Sequence, residues 1–208
     1  MGEKRGTYVI LEGGDGCGKD TQADLLTAHL QTQGREVLRI NEPDDTLPTG
    51  KLLRQMLKDG SYREAHAAMF LADRMAMLPS KVIPALEADK DVVSVRSFLS
   101  TLVYQQENWP LEWLFDIHKQ LPAKADLLII LTLDAETALQ RSRKRPGPDE
   151  VYEKLDIQQR VQERYVNLGT SCKNLLAPGA HVAVIDANGT PAEVHQRVLD
   201  AVTKKVLS

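Results

Sequence analysis

The sequence predicts an α/β fold in a single domain spanning residues 1–208: a five-stranded parallel sheet with helices on both faces. Two observations carry that expectation. Short apolar runs alternate along the chain with longer amphipathic stretches, which is the pattern of consecutive βαβ units. The first apolar run leads through glycines directly into a helical pattern, at the end of a strand where such sheets place their ligands.

The elements follow in order. Tyr8-Val9-Ile10-Leu11 is continuously apolar, as a strand buried on both faces must be. Residues 22–33 bring Ala23, Leu26 and Leu30 to helical spacing, and Gly34 closes that helix. Residues 36–40 read as the second strand. Residues 49–57 and 63–88 read as helices, the second interrupted near Pro79 and Pro84. Val92-Val93-Ser94-Val95 is the third strand, residues 127–133 the fourth and residues 181–185 the fifth, with a closing helix over residues 190–207. Arg145-Pro146-Gly147-Pro148 connects two helices as a hinged loop.

Composition narrows the function. Hydrophobic residues make up 42% and charged residues 26%, the balance of a soluble globular chain. The net charge of −3 carries no electrostatic footprint for nucleic acid or an anionic membrane, so any anion site must be local. Neither a membrane span nor a secretory signal can be drawn, and a cytoplasmic protein is expected. Two cysteines and five histidines show neither a disulfide framework nor a metal-binding spacing.

The chemistry concentrates after the first strand. Gly13, Gly14, Asp15, Gly16, Cys17, Gly18 and Lys19 match the GxxxxGK of a phosphate-binding loop. Glycines let successive backbone N–H groups converge on phosphate oxygens, and the following helix N-terminus adds partial positive charge. Lys19 would bridge the outer phosphates of a nucleoside triphosphate. The Ser or Thr that usually follows the lysine is replaced by Asp20, with Thr21 next.

These residues closely resemble the phosphate loop of the thymidylate kinase family, and four later segments fall in that family's order. Asn41-Glu42-Pro43, followed by Gly50-Lys51-Leu52-Leu53, is similar to its Arg-Glu-Pro loop and next helix, with Asn41 replacing the arginine. Phe70-Leu71-Ala72-Asp73-Arg74 resembles its Phe-Ala-Ala-Asp-Arg segment. Val95 to Gln105 resembles its Asp-Arg and Ser-Thr-Tyr-Gln motif, with Val95 where the aspartate stands. Arg141 to Arg145, with the helix that follows, resembles its lid, drawn here over about residues 141–153.

The resemblance implies a P-loop kinase fold with a short lid, usually homodimeric, that moves the γ-phosphoryl of ATP onto dTMP with Mg²⁺. It implies that residues 13–21, Gly13 through Thr21, hold ATP, and that Lys19, Arg96, Arg141 and Arg145 serve catalysis. It implies a dTMP site of Asp15 at the sugar 3′-hydroxyl, Arg96 at the monophosphate, Phe70 stacked on the base, and Glu42, Arg74, Ser100, Thr101, Tyr104 and Gln105 around it. Gly16 stands where some relatives carry the closing arginine, which puts that role on the lid.

Several positions keep a plainer reading open. Phe70 could be a core residue beside Met69 and Leu71, and the arginine cluster from Arg141 could be a solvated helix end. The metal role falls to Asp20, or Asp20 merely caps the first helix and Thr21 holds the metal. Asn41, Ser97 and Phe98 leave another pyrimidine monophosphate open as acceptor. Val95 and Asp20 together leave open a nucleotide-binding homologue that has lost catalysis.

Overall fold

The structure, a computed structural model, describes residues 5–142 and 155–206. Five parallel strands form one sheet in the order β2-β3-β1-β4-β5, namely β1 (Tyr8–Gly13), β2 (Val37–Asn41), β3 (Asp91–Val95), β4 (Leu127–Thr132) and β5 (His181–Asp186). All five strands expected from the sequence are present. The central β1 pairs with β3 through Leu11 opposite Val95 and with β4 through Gly13 opposite Leu131. That register sets the end of β3 beside the exit of β1, and the Arg96 N–H donates to the Leu11 carbonyl at 2.9 Å.

Alternation along the strands feeds two cores. Tyr8 and Ile10 pack on one face with Leu128, Ile130, Phe98 and Tyr165, while Val9 and Leu11 pack on the other with Leu26, Ile129 and Val198. A strand covered on both sides has no polar face to show, which is why the run reads as continuously apolar.

Helix α1 (Lys19–Thr32) begins three residues earlier than expected and ends through Gly34, whose φ of 78° lets its N–H reach the Gln31 carbonyl. Next come α2 (Pro48–Asp59) and α3 (His66–Met77). The interruption expected at the prolines is a π-helical turn over Leu78–Val82, followed by α4 (Ile83–Glu87) with Pro84 in its first turn. The expected lid lies almost wholly outside the described residues, between α7 (Ala135–Ser142) and α8 (Leu155–Ser171), and α9 (Pro191–Val206) closes the described chain. Two helices escaped the sequence, α5 (Phe98–Gln105) and α6 (Leu111–His118). Six consecutive residues of α5, Phe98 to Val103, are buried, so it presents no amphipathic stripe.

Candidate active site

Between β1 and α1 the chain turns through Gly13, Gly16 and Gly18 at φ of 142°, 80° and 91°. Gly18 is the N-cap of α1 and no side chain bonds into that cap, leaving the first N–H groups for an anion. Lys19 is 5% exposed and lies back across the loop, its Nζ donating to the Gly13 carbonyl at 2.9 Å and the Gly14 carbonyl at 2.7 Å. Cys17 is buried, with Sγ 3.7 Å from that ammonium. A Cβ on Gly16 would run into the Ala138 carbonyl of α7, so position 16 has room for no side chain.

The end of β3 supplies a second cluster. Arg96, at a φ of 67° that side chains rarely adopt, forms an ion pair with Asp15 from the phosphate loop. Its Nη1 also donates to Ser100 Oγ at 3.2 Å and the Tyr165 hydroxyl at 3.3 Å, and the guanidinium lies 5.6 Å from the centre of the Tyr104 ring. The Tyr104 hydroxyl is 3.5 Å from Asp15 Oδ2. Burial opposes the charge on Arg96, but Asp15 and the surrounding oxygens more than offset it and hold the group firmly cationic.

Beneath this cluster lies Glu12, a residue not singled out from the sequence. It is fully buried and accepts from the Ser97 N–H at 2.7 Å, the Ser100 N–H at 3.1 Å and Ser100 Oγ at 2.7 Å. A carboxylate from β1 thus serves the N-terminal N–H groups of α5, where Ser97 makes no side-chain cap of its own. Burial raises the Glu12 pKa, and the Ser100 bond and Arg96 act in the opposite sense. The available signal was a lone acid inside an apolar strand just before a glycine loop.

A third group sits behind α5. Arg74 is 1% exposed and meets Glu42 Oε2 through Nε at 2.8 Å and Nη2 at 2.6 Å. Its Nη2 lies 3.4 Å from Thr101 Oγ1, and its Nη1 donates to His118 Nε2 at 2.8 Å. Burial raises the Glu42 pKa against the pull of Arg74. Glu42 Oε1 and Gln105 Oε1 are both buried without a hydrogen-bond partner, acceptors that a ligand could satisfy. Phe70, four residues before Arg74 on the same face of α3, belongs to neither core cluster, so its core reading is set aside. Asp73 faces the other way and ties down the loop carrying Glu42, accepting from the Asp44 N–H at 2.9 Å and Thr49 Oγ1 at 2.7 Å. The Glu42-Pro43 bond in that loop is cis.

The structure corrects one reading of Asp20, that it caps the first helix. Asp20 makes no cap, since Gly18 holds that place, and its half-exposed carboxylate lies 3.5 Å from Arg39 Nη2 on β2. Thr21 is exposed on the first turn of α1. Val95 is 4% exposed and packs in the core with Leu11 and Cys17, a purely apolar role. Among the described residues no group of three acidic, histidine or cysteine side chains could enclose a metal. Arg141 is partly buried near the end of α7, its Nη2 3.5 Å from the Gly189 carbonyl. Arg145 and the rest of the expected lid to residue 153 lie outside the described residues.

A parallel sheet whose first strand runs into a glycine loop with an inward lysine, and whose neighbouring strand leads into a partly buried arginine, defines a P-loop phosphotransferase. The thymidylate kinase family model matches residues 11–198, and the chain belongs to that family of ATP-dependent phosphotransferases. It is 35% identical over 211 residues to a probable thymidylate kinase of Pyrococcus abyssi, covering 98% of each chain. Against the probable thymidylate kinase of Thermococcus kodakarensis it is 37% identical over 172 residues, covering 77% of this chain and 83% of the other. Among solved structures it resembles the thymidylate kinase of Candida albicans, with a TM-score of 0.77, 26% identity, and 96% and 92% of the two chains covered. No described helix is long and apolar enough to cross a membrane.

Proposed function

We propose that this chain transfers the γ-phosphoryl group of ATP to dTMP, giving dTDP and ADP. The observation that carries the reading is the ion pair of Asp15 with Arg96, which joins the phosphate loop to the end of β3. It puts a cationic fork for a monophosphate next to the loop that cradles a triphosphate.

In this reading Lys19 and the loop amides from Gly13 to Thr21 hold the ATP phosphates. Arg96 turns from Asp15 to the dTMP phosphate, freeing Asp15 to accept from the sugar 3′-hydroxyl. An oxygen of the dTMP phosphate attacks the γ-phosphorus, and the bond to the ADP oxygen breaks. Phe70 stacks on the thymine, with Glu42, Arg74, Thr101 and Gln105 at its polar edge and Ser100 and Tyr104 beneath the sugar and phosphate. Arg141 or Arg145 offsets the charge developing on the transferred group as the lid closes over it.

The acidic and hydroxyl donors near the loop fit a Mg²⁺ ion that keeps phosphate oxygens and water as most of its ligands. Asp20 would contribute the protein oxygen, directly or through water, with Thr21 the alternative. Bound there, the ion would neutralise the outer phosphates of ATP. We further infer a cytoplasmic homodimer, supported by exposed Leu52 and Leu57 on α2, Met75 on α3 and Trp113 on α6. Incubation of the purified chain with dTMP and ATP labelled at the γ-phosphate tests the activity. Labelled dTDP is expected, and label remaining in ATP would overturn the reading.

A further inference from the structure

His118 is the one histidine fully shut away from solvent among the described residues, and neither phosphate chemistry nor a core of apolar side chains calls for it. It ends α6, and its two ring nitrogens have partners of opposite kind. Nδ1 lies 2.6 Å from the Leu114 carbonyl, which can only accept. Nε2 lies 2.8 Å from Arg74 Nη1, which can only donate. The proton therefore sits on Nδ1, and Nε2 is a neutral acceptor aimed at the guanidinium. Burial and the adjacent Arg74 depress the His118 pKa to about 3, so the ring stays neutral at any pH where the fold operates. Phe98 from α5 adds an uncharged ring 6.4 Å away, and Glu42 lies across the guanidinium from the imidazole.

Arg74 has five N–H hydrogens in one plane. The Nε hydrogen and one on Nη2 meet Glu42 Oε2, at 2.8 and 2.6 Å. The second Nη2 hydrogen faces Thr101 Oγ1 at 3.4 Å, and one on Nη1 goes to His118. One hydrogen is left over, on the same nitrogen that His118 holds. Because the plane and the partner of its twin are fixed, the direction of this last N–H is fixed as well.

We propose that His118 is a positioning residue for acceptor specificity, a neutral hydrogen-bond acceptor that aims the remaining Arg74 N–H at a carbonyl oxygen on the base of the nucleoside monophosphate. The proposal rests on the reading above that Arg74 meets the base. It also names the class of base selected. A fixed donor rewards a pyrimidine carrying a carbonyl oxygen at that edge, as thymine and uracil do, and opposes an amino group there, as in cytosine, because two donors would face each other.

Three variants and one spectroscopic measurement test it. H118F keeps an aromatic ring and removes the acceptor, while H118Q returns an acceptor oxygen near the place of Nε2. With dTMP as acceptor, H118F should raise KM by about tenfold or more. Its kcat and its KM for ATP should stay within about threefold of the parent, since the phosphate machinery is untouched. H118Q should restore most of the dTMP KM, and the preference for dTMP over dCMP should narrow in H118F alone. R74A separates the two levels of the argument. If R74A leaves the dTMP KM unchanged, the base-reading role of Arg74 fails; if R74A raises it and H118F does not, the role of His118 fails. Equal dTMP KM in H118F and H118Q, or an equal loss in kcat and in both KM values, overturns the proposal. Should H118F not fold, nitrogen NMR of the parent protein still decides. His118 is expected as the Nδ1–H tautomer from pH 5 to 8, and an Nε2–H tautomer or titration near 6.5 overturns the proposal.

Discussion

Replacing Glu12 with Ala would remove the anchor beneath α5 while leaving every side chain expected to meet a substrate in the sequence. Three donors would lose their acceptor: the Ser97 N–H, the Ser100 N–H and Ser100 Oγ, at 2.7, 3.1 and 2.7 Å. Ser100 Oγ keeps the Tyr165 hydroxyl at 2.8 Å, so two buried amide donors are left orphaned. At about 1–3 kcal/mol per orphaned group, offset in part by relief of burying an acid, E12A should cost about 2–5 kcal/mol. E12Q should cost under about 1 kcal/mol, because its amide oxygen can accept both N–H groups and its NH₂ can donate to Ser100 Oγ. Urea unfolding followed by circular dichroism measures both values. The backbone of Arg96, held at φ of 67° between Leu11 and the start of α5, should relax in E12A. The dTMP KM should therefore rise in E12A more than the ATP KM does. An E12A protein within 1 kcal/mol of the parent, or an E12Q protein as damaged as E12A, would refute the anchoring argument.

Other consequences are equally open to measurement. Replacing Arg141 and Arg145 together by Ala should lower kcat by about 10²-fold or more with a small change in dTMP binding, as steady-state kinetics beside calorimetry would show. Asp20→Thr should weaken Mg²⁺-dependent turnover, read as rate against Mg²⁺ concentration; a fully active Asp20→Thr enzyme would remove Asp20 from the metal site. Acid should bear on stability through His118, whose folded pKa near 3 lies below the unfolded value of 6.5. The unfolded chain binds the extra proton between those values, so this contribution is present above pH 6.5 and falls by up to about 1.4 kcal/mol per unit toward pH 3. Glu12 and Glu42 are raised instead, so their contributions run the other way, falling as pH rises above the ordinary carboxylate range. The stability difference between the parent and H118Q, from denaturant midpoints at each pH, should accordingly grow as pH rises from 4 to 7.

The sheet was legible because strands buried on both faces leave unmistakable apolar runs, as at Tyr8–Gly13 and Leu127–Thr132. The phosphate loop was legible because its backbone needs glycine at fixed places, and the positive φ at Gly13, Gly16 and Gly18 bears that out. Helix α5 was not, since burial all round erased its periodicity. Glu12 and His118 were passed over for a related reason. Each acts by holding another residue through contacts across 85 and 44 positions of sequence, and spacing along the chain records nothing of such pairs. For Asp20, the helix cap that its place beside Lys19 suggested is not formed: Gly18 is the N-cap, and the neighbouring strand supplies Arg39 as an ion partner that spacing along the chain does not record.

The most direct test of the central claim is kcat/KM for ATP-dependent phosphorylation of dTMP, dUMP, dCMP, CMP and AMP, measured on the purified chain with Mg²⁺ present and then removed by a chelator. The Asp15–Arg96 junction, together with a base pocket that offers an aimed Arg74 donor, predicts dTMP as the best acceptor, ribonucleotides far behind, and turnover lost without the metal. Faster turnover of CMP or AMP than of dTMP, or no phosphoryl transfer to any of the five, would contradict it.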